Sequence, residues 1–268
     1  MRGHAGPRPG DEPITTRLTP KIILMAKGIE KENFFSDEFP DKDSYRLIYR
    51  MWGNHQRMEF QNKNMGYLEI VKETSKSKIE FKVRKVIVNF HNLTQTITAT
   101  LLCENDDIIT PLSYDYSSRI TDNALCTRPD LSLDRSGCIE DGYVIEKIKG
   151  KEYKRQYESP LVFDFTVYDL VVSGKEYGPF TYYENLYSFK PGNRLMNLTS
   201  ESTLGNHKFK MMVQYGTGLT ERIFHISSAG LPVMMVQNSA VYILDEDAPN
   251  AIGKLQEELN TGGVHYEY

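Results

Sequence analysis

Thr96-Ile97-Thr98-Ala99-Thr100-Leu101-Leu102-Cys103 places Ile97, Ala99, Leu101 and Cys103 on one side of an extended chain and Thr96, Thr98 and Thr100 on the other. Successive side chains of a β-strand point to opposite faces, so this alternation describes a strand with one face on a core and one in water. The same period-2 pattern runs back as far as Leu47. Sustained over such a length, it predicts a large antiparallel sheet as the framework of the molecule.

Upstream, Lys78 to Phe90 holds Ile79, Phe81 and Val83 on one parity and Val86, Val88 and Phe90 on the other, with Arg84-Lys85 at the slip. A β-bulge there would insert one residue, restore the inward face and coil the sheet. Met65 to Glu73 is its expected partner. Tyr45 to Trp52 reads as a strand, Gly53-Asn54 as a tight turn and His55 to Phe60 as the return. Downstream, Ile108 to Tyr116 follows the acidic turn Glu104-Asn105-Asp106-Asp107, Ser117 to Asp141 reads as a long loop, and Tyr143–Lys149 with Glu152–Glu158 forms a hairpin around Gly150. Ser159 to Val172 alternates through Leu161, Phe163, Phe165 and Val167. It also carries a helix start, Ser159 as N-cap and Pro160 at the first position, and on that signal it is read as a helix. Strands follow at Tyr182–Phe189, Arg194–Glu201, His207–Tyr215, Thr220–Ser227, Val233–Gln237 and Val241–Leu244, then a short helix at Ala251–Leu259.

The fold class is therefore mainly β, a strongly curved antiparallel sheet or incomplete β-barrel with one or two short helices. The chain divides into an N-terminal arm with a short helix over 1–40, a curved antiparallel β domain over 41–247, and a C-terminal helix and tail over 248–268. The arm's helix is Lys21–Lys31, where Ile22, Ile23, Met25, Ala26 and Ile29 fit a 3.6-residue period.

Composition narrows the function classes. A net charge of −4 with scattered basic residues leaves no electrostatic footprint for nucleic acid. No apolar run approaches the roughly 18–20 residues that span a bilayer, so no transmembrane span is expected. The first twenty residues, rich in Pro, Gly and Arg, hold no apolar signal core, which fits a cytosolic chain or one that begins after a removed export signal. Cys103 ends its strand on the apolar side and reads as a buried thiol. Cys126 and Cys138 bracket a polar loop, and in an oxidising compartment a disulfide between them would stabilise by roughly 3 kcal/mol. No Cys-x-x-Cys and no His pair at ligand spacing occurs, so no metal or other cofactor is expected.

Catalytic signatures are missing as well. The six histidines form no cluster, and no Gly-x-Ser-x-Gly is present. Gly216-Thr217-Gly218 reads as a turn. Asp164 and Asp169 flank aromatics and Glu184 adjoins Tyr182 and Tyr183, a pairing that could serve sugar rings. Met211-Met212 and Met234-Met235 place flexible thioethers on both faces of their strands, as in gap-filling cores or adaptable apolar binding surfaces.

Several segments together carry a resemblance. Tyr45-Arg46-Leu47-Ile48-Tyr49 leads through Gly53-Asn54 to Lys78–Phe90 and Gln95–Cys103. Pro160-Leu161-Val162-Phe163-Asp164 follows, then a second meander ending in Glu221-Arg222-Ile223-Phe224-His225-Ile226. This order resembles the half-barrel superfamily of bacterial lipoprotein carriers and related envelope proteins of unassigned function, over about residues 45–245. The resemblance implies an extracytoplasmic incomplete barrel with a helix across its concave face, holding an acyl chain or other apolar ligand, with no catalytic residues. Neither an export signal nor a lipidation cysteine stands near the N-terminus, a departure from the precursors of that superfamily.

The expected function is thus a non-enzymatic periplasmic or extracellular protein, peripheral to the envelope, binding an apolar or amphipathic small molecule in a curved-sheet cavity. Expected cavity residues are Phe81, Val83, Val88, Phe90, Leu101, Phe209, Met211 and Val213, joined by Phe163 and Phe165 if Ser159–Val172 is the covering helix. One alternative is a carbohydrate-binding or carbohydrate-active β-sandwich, with Tyr182, Tyr183 and Glu184 clustered on a concave outer face. Another is a structural interaction module with neither cavity nor cleft.

Overall fold

Alternation becomes curvature here because one meander of strands bends until its two ends meet. The computed structural model describes residues 41–53, 64–88, 93–121, 132–158, 160–204, 207–219, 221–237 and 240–260. Its first half consists of β1 (Ser44–Gly53), β2 (Asn64–Thr74), β3 (Lys78–Val88), β4 (Thr94–Glu104), β5 (Pro111–Thr121), β6 (Leu133–Glu140), β7 (Tyr143–Ile148) and β8 (Lys151–Gln156). After β9 (Leu161–Phe163) and helix α1 (Val167–Ser173) come β10 (Tyr177–Glu184), β11 (Ser188–Leu204), β12 (His207–Tyr215), β13 (Arg222–Ile226), β14 (Pro232–Val236) and β15 (Ala240–Leu244), then helix α2 (Ala248–Asn260).

The strands form one sheet in the order β8-β7-β6-β5-β4-β3-β2-β1-β15-β14-β13-β12-β11-β10-β9. Strands β1 and β15 join the halves antiparallel, with Met51 opposite Tyr242. Among the described strands, only the short β9 runs parallel to its neighbour, β10. The sheet's two edges, β8 and β9, are consecutive in the chain but do not pair through their backbones, so the sheet is strongly curved, open and barrel-like. Local turn chemistry supports the tight hairpins. Asp141 and Gly142 (φ 48 and 78), like Lys149 and Gly150 (φ 50 and 77), put both central residues in the left-handed region, the type I′ form that matches strand twist.

The interior is filled rather than hollow. Helix α1 lies inside the sheet with Val167 to Val172 all buried. Its Tyr168 ring packs 5.3 Å from Tyr49 of β1 and 5.6 Å from Phe224 of β13. The Asp169 carboxylate accepts hydrogen bonds from the Tyr45 hydroxyl at 2.7 Å and Lys72 Nζ at 2.8 Å, tying the helix to β1 and β2. Seven residues are too few for a helix to persist alone, so α1 owes its existence to this packing.

The strand expected over Tyr182–Phe189 is divided by the turn Asn185–Tyr187 between β10 and β11, and four further sequence expectations change. First, β3 keeps continuous register with both neighbours, with no bulge at Arg84-Lys85. The slip instead marks a change in which face is covered. Ile79, Phe81 and Val83 face the interior, whereas Val86 and Val88 pack outward with Ile48 and Tyr67 beneath Ala248 and Ile252 of α2. Lys85, on the interior parity, lies 5.6 Å from the centre of the Tyr242 ring.

Second, Ser117–Asp141 is not one loop, since β5 continues to Thr121 and Leu133–Glu140 is β6. Ser118, Arg135 and Gly137 interrupt the inward positions there, so the apolar alternation is broken. Third, the segment read as a helix from Ser159 splits, because Leu161–Phe163 pairs with Thr181–Tyr183 and helix begins only at Val167. Fourth, β1 finds its partner in β2, and the expected return strand His55–Phe60 lies outside the described residues, as does the helix Lys21–Lys31. The C-terminal helix is present as α2. Among the described residues no helix is long and apolar enough to cross a membrane.

Candidate functional site

The sheet's two edges are joined by side chains instead of a backbone ladder. Tyr114 of β5 stands opposite Gly137 of β6, which stands opposite Glu146 of β7. With no side chain at Gly137, the Tyr114 ring lies across β6, and a Cβ there would meet its Cε1 at 2.6 Å. The Tyr114 hydroxyl thereby reaches Glu146 Oε1 at 2.5 Å. From the opposite edge, the Tyr183 hydroxyl of β10 donates to the same oxygen at 2.6 Å. Arg155 of β8 pairs with Glu146 Oε2 at 2.8 Å. It also donates to the Tyr183 hydroxyl and to the Tyr187 carbonyl.

Two arginines clamp the turn between β10 and β11. Arg135 donates to the carbonyls of Leu186 at 2.5 Å and Asn185 at 3.0 Å, while Arg155 holds that of Tyr187. Inside, Asp164 Oδ2 accepts the Asn185 N–H at 3.0 Å. Its other oxygen accepts from Tyr182 and from Arg222, the latter at 3.0 Å. Burial alone would raise the Asp164 carboxyl, but Arg222, the Tyr182 hydroxyl and Lys85 outweigh it and hold it below the ordinary value of 3.8. Burial first, then Tyr183 and Glu146, raises the Tyr114 hydroxyl above a phenol's usual range; burial and Glu146 raise that of Tyr183 against the opposing effects of Tyr114 and Arg155, so both remain donors.

Above this seam is a pocket of about 360 Å³ lined by Glu146, Ile148, Tyr153, Arg155, Tyr187, Ser188 and Phe189. Tyr153 and Tyr187 stay 46% and 64% exposed at its rim. Phe189 stacks at 4.8 Å on Tyr183 and lies 4.8 Å beneath the Arg155 guanidinium. The Glu146 oxygens already serve three donors, so the pocket's open surface mixes the Tyr153, Tyr187 and Phe189 rings with polar groups of Arg155 and Ser188. A second depression, about 560 Å³, lies on the outer face of β4 to β7 among Thr98, Thr100, Asp115, Ser117, Ser136 and Lys147.

The expected cavity residues disperse. Phe81, Leu101 and Phe163 have no accessible surface, and Val83 and Phe165 have 4% and 3%. These five belong to the filled interior, where Phe163 packs against Tyr114 and Tyr183. Val88 belongs to the outer cluster under α2. Met211 and Val213 face outward. The interior row runs through Met212 instead, opposite Phe224 and onward to Met235 and Tyr242; Phe209 has the parity of Met211 and Val213, yet it is 2% exposed and belongs to the main apolar cluster. Phe90 lies outside the described residues. Cys138 carries a free thiol 3.5 Å from Glu140 Oε1, and Cys126 lies outside the described residues. Tyr182 and Tyr183, expected together on an outer face by the carbohydrate alternative, are wholly buried.

Sequence reasoning did not single out Glu146, Arg155, Tyr153, Tyr187 or Phe189. Their signal was faint, since β8 is polar at nearly every position and Tyr187 sits in a turn.

No known protein family matches the chain, and no curated protein is significantly similar to it. Among solved structures it is similar to the β-barrel-like protein of the domain of unknown function DUF1849 from Brucella abortus. That likeness has a TM-score of 0.50 and 11% identity, and it covers 77% of this chain and 97% of that one. It supports a barrel-like fold and extends to no activity.

Proposed function

We propose that this is a non-enzymatic, extracytoplasmic binding protein of the cell envelope that takes an apolar or amphipathic, lipid-like ligand at the seam of its curved sheet. The observation that carries this reading is the exposed aromatic rim of Tyr153 and Tyr187 over a pocket of about 360 Å³. Large aromatics left in water around a concavity mark contact surfaces more often than they mark structure. The polar groups beneath are consumed in holding the edges together, so the pocket offers surface for an acyl or ring system and no spare acid–base pair.

Native mass spectrometry of the chain purified without detergent, followed by organic extraction, tests the reading. A stoichiometric adduct that extracts as a lipid is expected. Tyr153→Ala/Tyr187→Ala should weaken binding of that lipid by roughly tenfold or more, the order of two lost aromatic contacts. A clean mass with no uptake of fatty acid or phospholipid would overturn it.

A further inference from the structure

The outer face of β12 to β14 holds a row apart from the seam, with its Met234 packed in the main apolar cluster. Met211 stands directly opposite His225, and His225 directly opposite Met234. Directly opposed side chains in antiparallel strands have Cβ atoms roughly 4.5–5.5 Å apart, so two thioethers flank one imidazole. His225 and Met234 are only 1% and 2% exposed. His225 Nδ1 lies 2.7 Å from the Ser202 hydroxyl, and its Nε2 is buried without any hydrogen-bond partner.

The orphaned Nε2 indicates the tautomer. Were Nδ1 to accept from Ser202, Nε2 would carry a buried N–H with nowhere to donate, an arrangement folded proteins largely avoid. With Nδ1–H donating to Ser202, Nε2 presents a bare lone pair on the sheet face that also carries Met211 and Met234. Burial pushes the His225 imidazole down to about 4, so it is neutral at ordinary pH. A ring nitrogen held by an oxygen while the other stays open is the usual arrangement of a metal-binding histidine.

We propose that Met211, His225 and Met234 form a binding site for a soft monovalent transition-metal ion, Cu(I), through two thioether sulfurs and Nε2, with Ser202 orienting the ring. Thioether and imidazole donors without carboxylates select such an ion over magnesium or calcium. Among the described residues no group of three or more His, Cys, Asp and Glu is placed to hold a metal, so the site combines a single histidine with two thioethers. Met211, the less buried of the two methionines, gives the ion its approach from solvent.

Ag(I), a redox-inert stand-in, provides the test. The purified full-length chain should bind one equivalent more than Met211→Leu/Met234→Leu when titrated under native mass spectrometry. That comparison subtracts any ion held by the cysteines, and both swaps conserve volume. Ser202→Ala should weaken the site by roughly 10- to 100-fold, as loss of a ring-orienting partner does. On the unaltered protein, methyl resonances of Met211 and Met234 should shift on addition of Ag(I) ahead of those of the other methionines. Equal stoichiometry in parent and double variant, or shifts confined to other methionines, would overturn the proposal.

Discussion

At Gly137 the absence of a side chain lets a tyrosine ring cross a whole strand, and the Tyr114–Glu146 contact depends on that space. A methyl group there would stand 2.6 Å from the ring, so Gly137→Ala should displace Tyr114 and cost about 1–3 kcal/mol in urea unfolding. Tyr114→Phe should cost about 1–2 kcal/mol by removing the same hydrogen bond. Because the contact can be lost only once, the double variant should fall short of the sum; full additivity would mean that Gly137 and Tyr114 act independently. Asp164 adds a pH dependence. Its pKa is depressed in the folded protein, so its stabilisation is complete above the unfolded value, near 3.8, and fades as the pH falls through the lower folded value. The stability difference between the parent and Asp164→Asn should therefore shrink from about pH 5 to about pH 2. A difference that stays constant across that range would show that the Arg222 pairing does not depend on the carboxylate's charge.

The two helices are elements whose roles follow from the faces they cover. Helix α1 fills the interior, and Tyr168 touches β1 and β13 at once. Tyr168→Ala should leave a cavity between the two halves of the sheet and cost about 3–5 kcal/mol, read from the thermal midpoint. Helix α2 covers the outside of β1 to β3, where Ile252, 1% exposed, meets Ile48, Tyr67, Val86 and Val88. Ile252→Ala should cost about 2–5 kcal/mol, with amide exchange accelerating first in β2 and β3. Exchange that rises evenly across the sheet would show that α2 stabilises the molecule as a whole.

Over the whole molecule, two kinds of closure coexist. Between β1 and β15 the halves share a backbone ladder, while at the seam every hydrogen bond described involves a side chain. Strand β8 is paired on one side, and most of its residues are exposed. Its Lys151, Glu152, Lys154 and Arg155 place charge along the open edge, which discourages pairing with another chain. Hydrogen exchange should therefore be fastest, among the strands of the first half, in β8, and slowest in β3 and β4, each of which has two ladder partners. Protection of β8 equal to that of β4 would imply a backbone closure across the seam.

What the sequence alone determined was set by local backbone geometry. Alternation is a property of neighbouring residues, and it located the strands at Tyr45–Trp52, Gln95–Cys103 and His207–Tyr215 as well as the mainly β, curved architecture. It lost β6, whose inward positions include Arg135 and Gly137, because alternation is visible only where the inner face is apolar throughout. Tertiary structure alone decided which face is inside. The parity change in β3 reads locally as an inserted residue, yet it records α2 arriving on the outer side from far along the chain. The seam was hidden for the same reason. Tyr114 and Glu146 are 32 residues apart, and Arg135 and Leu186 are 51 apart. Only the curvature of the complete sheet brings such residues to one line, since curvature sums the twist of every strand between them and no single segment encodes it.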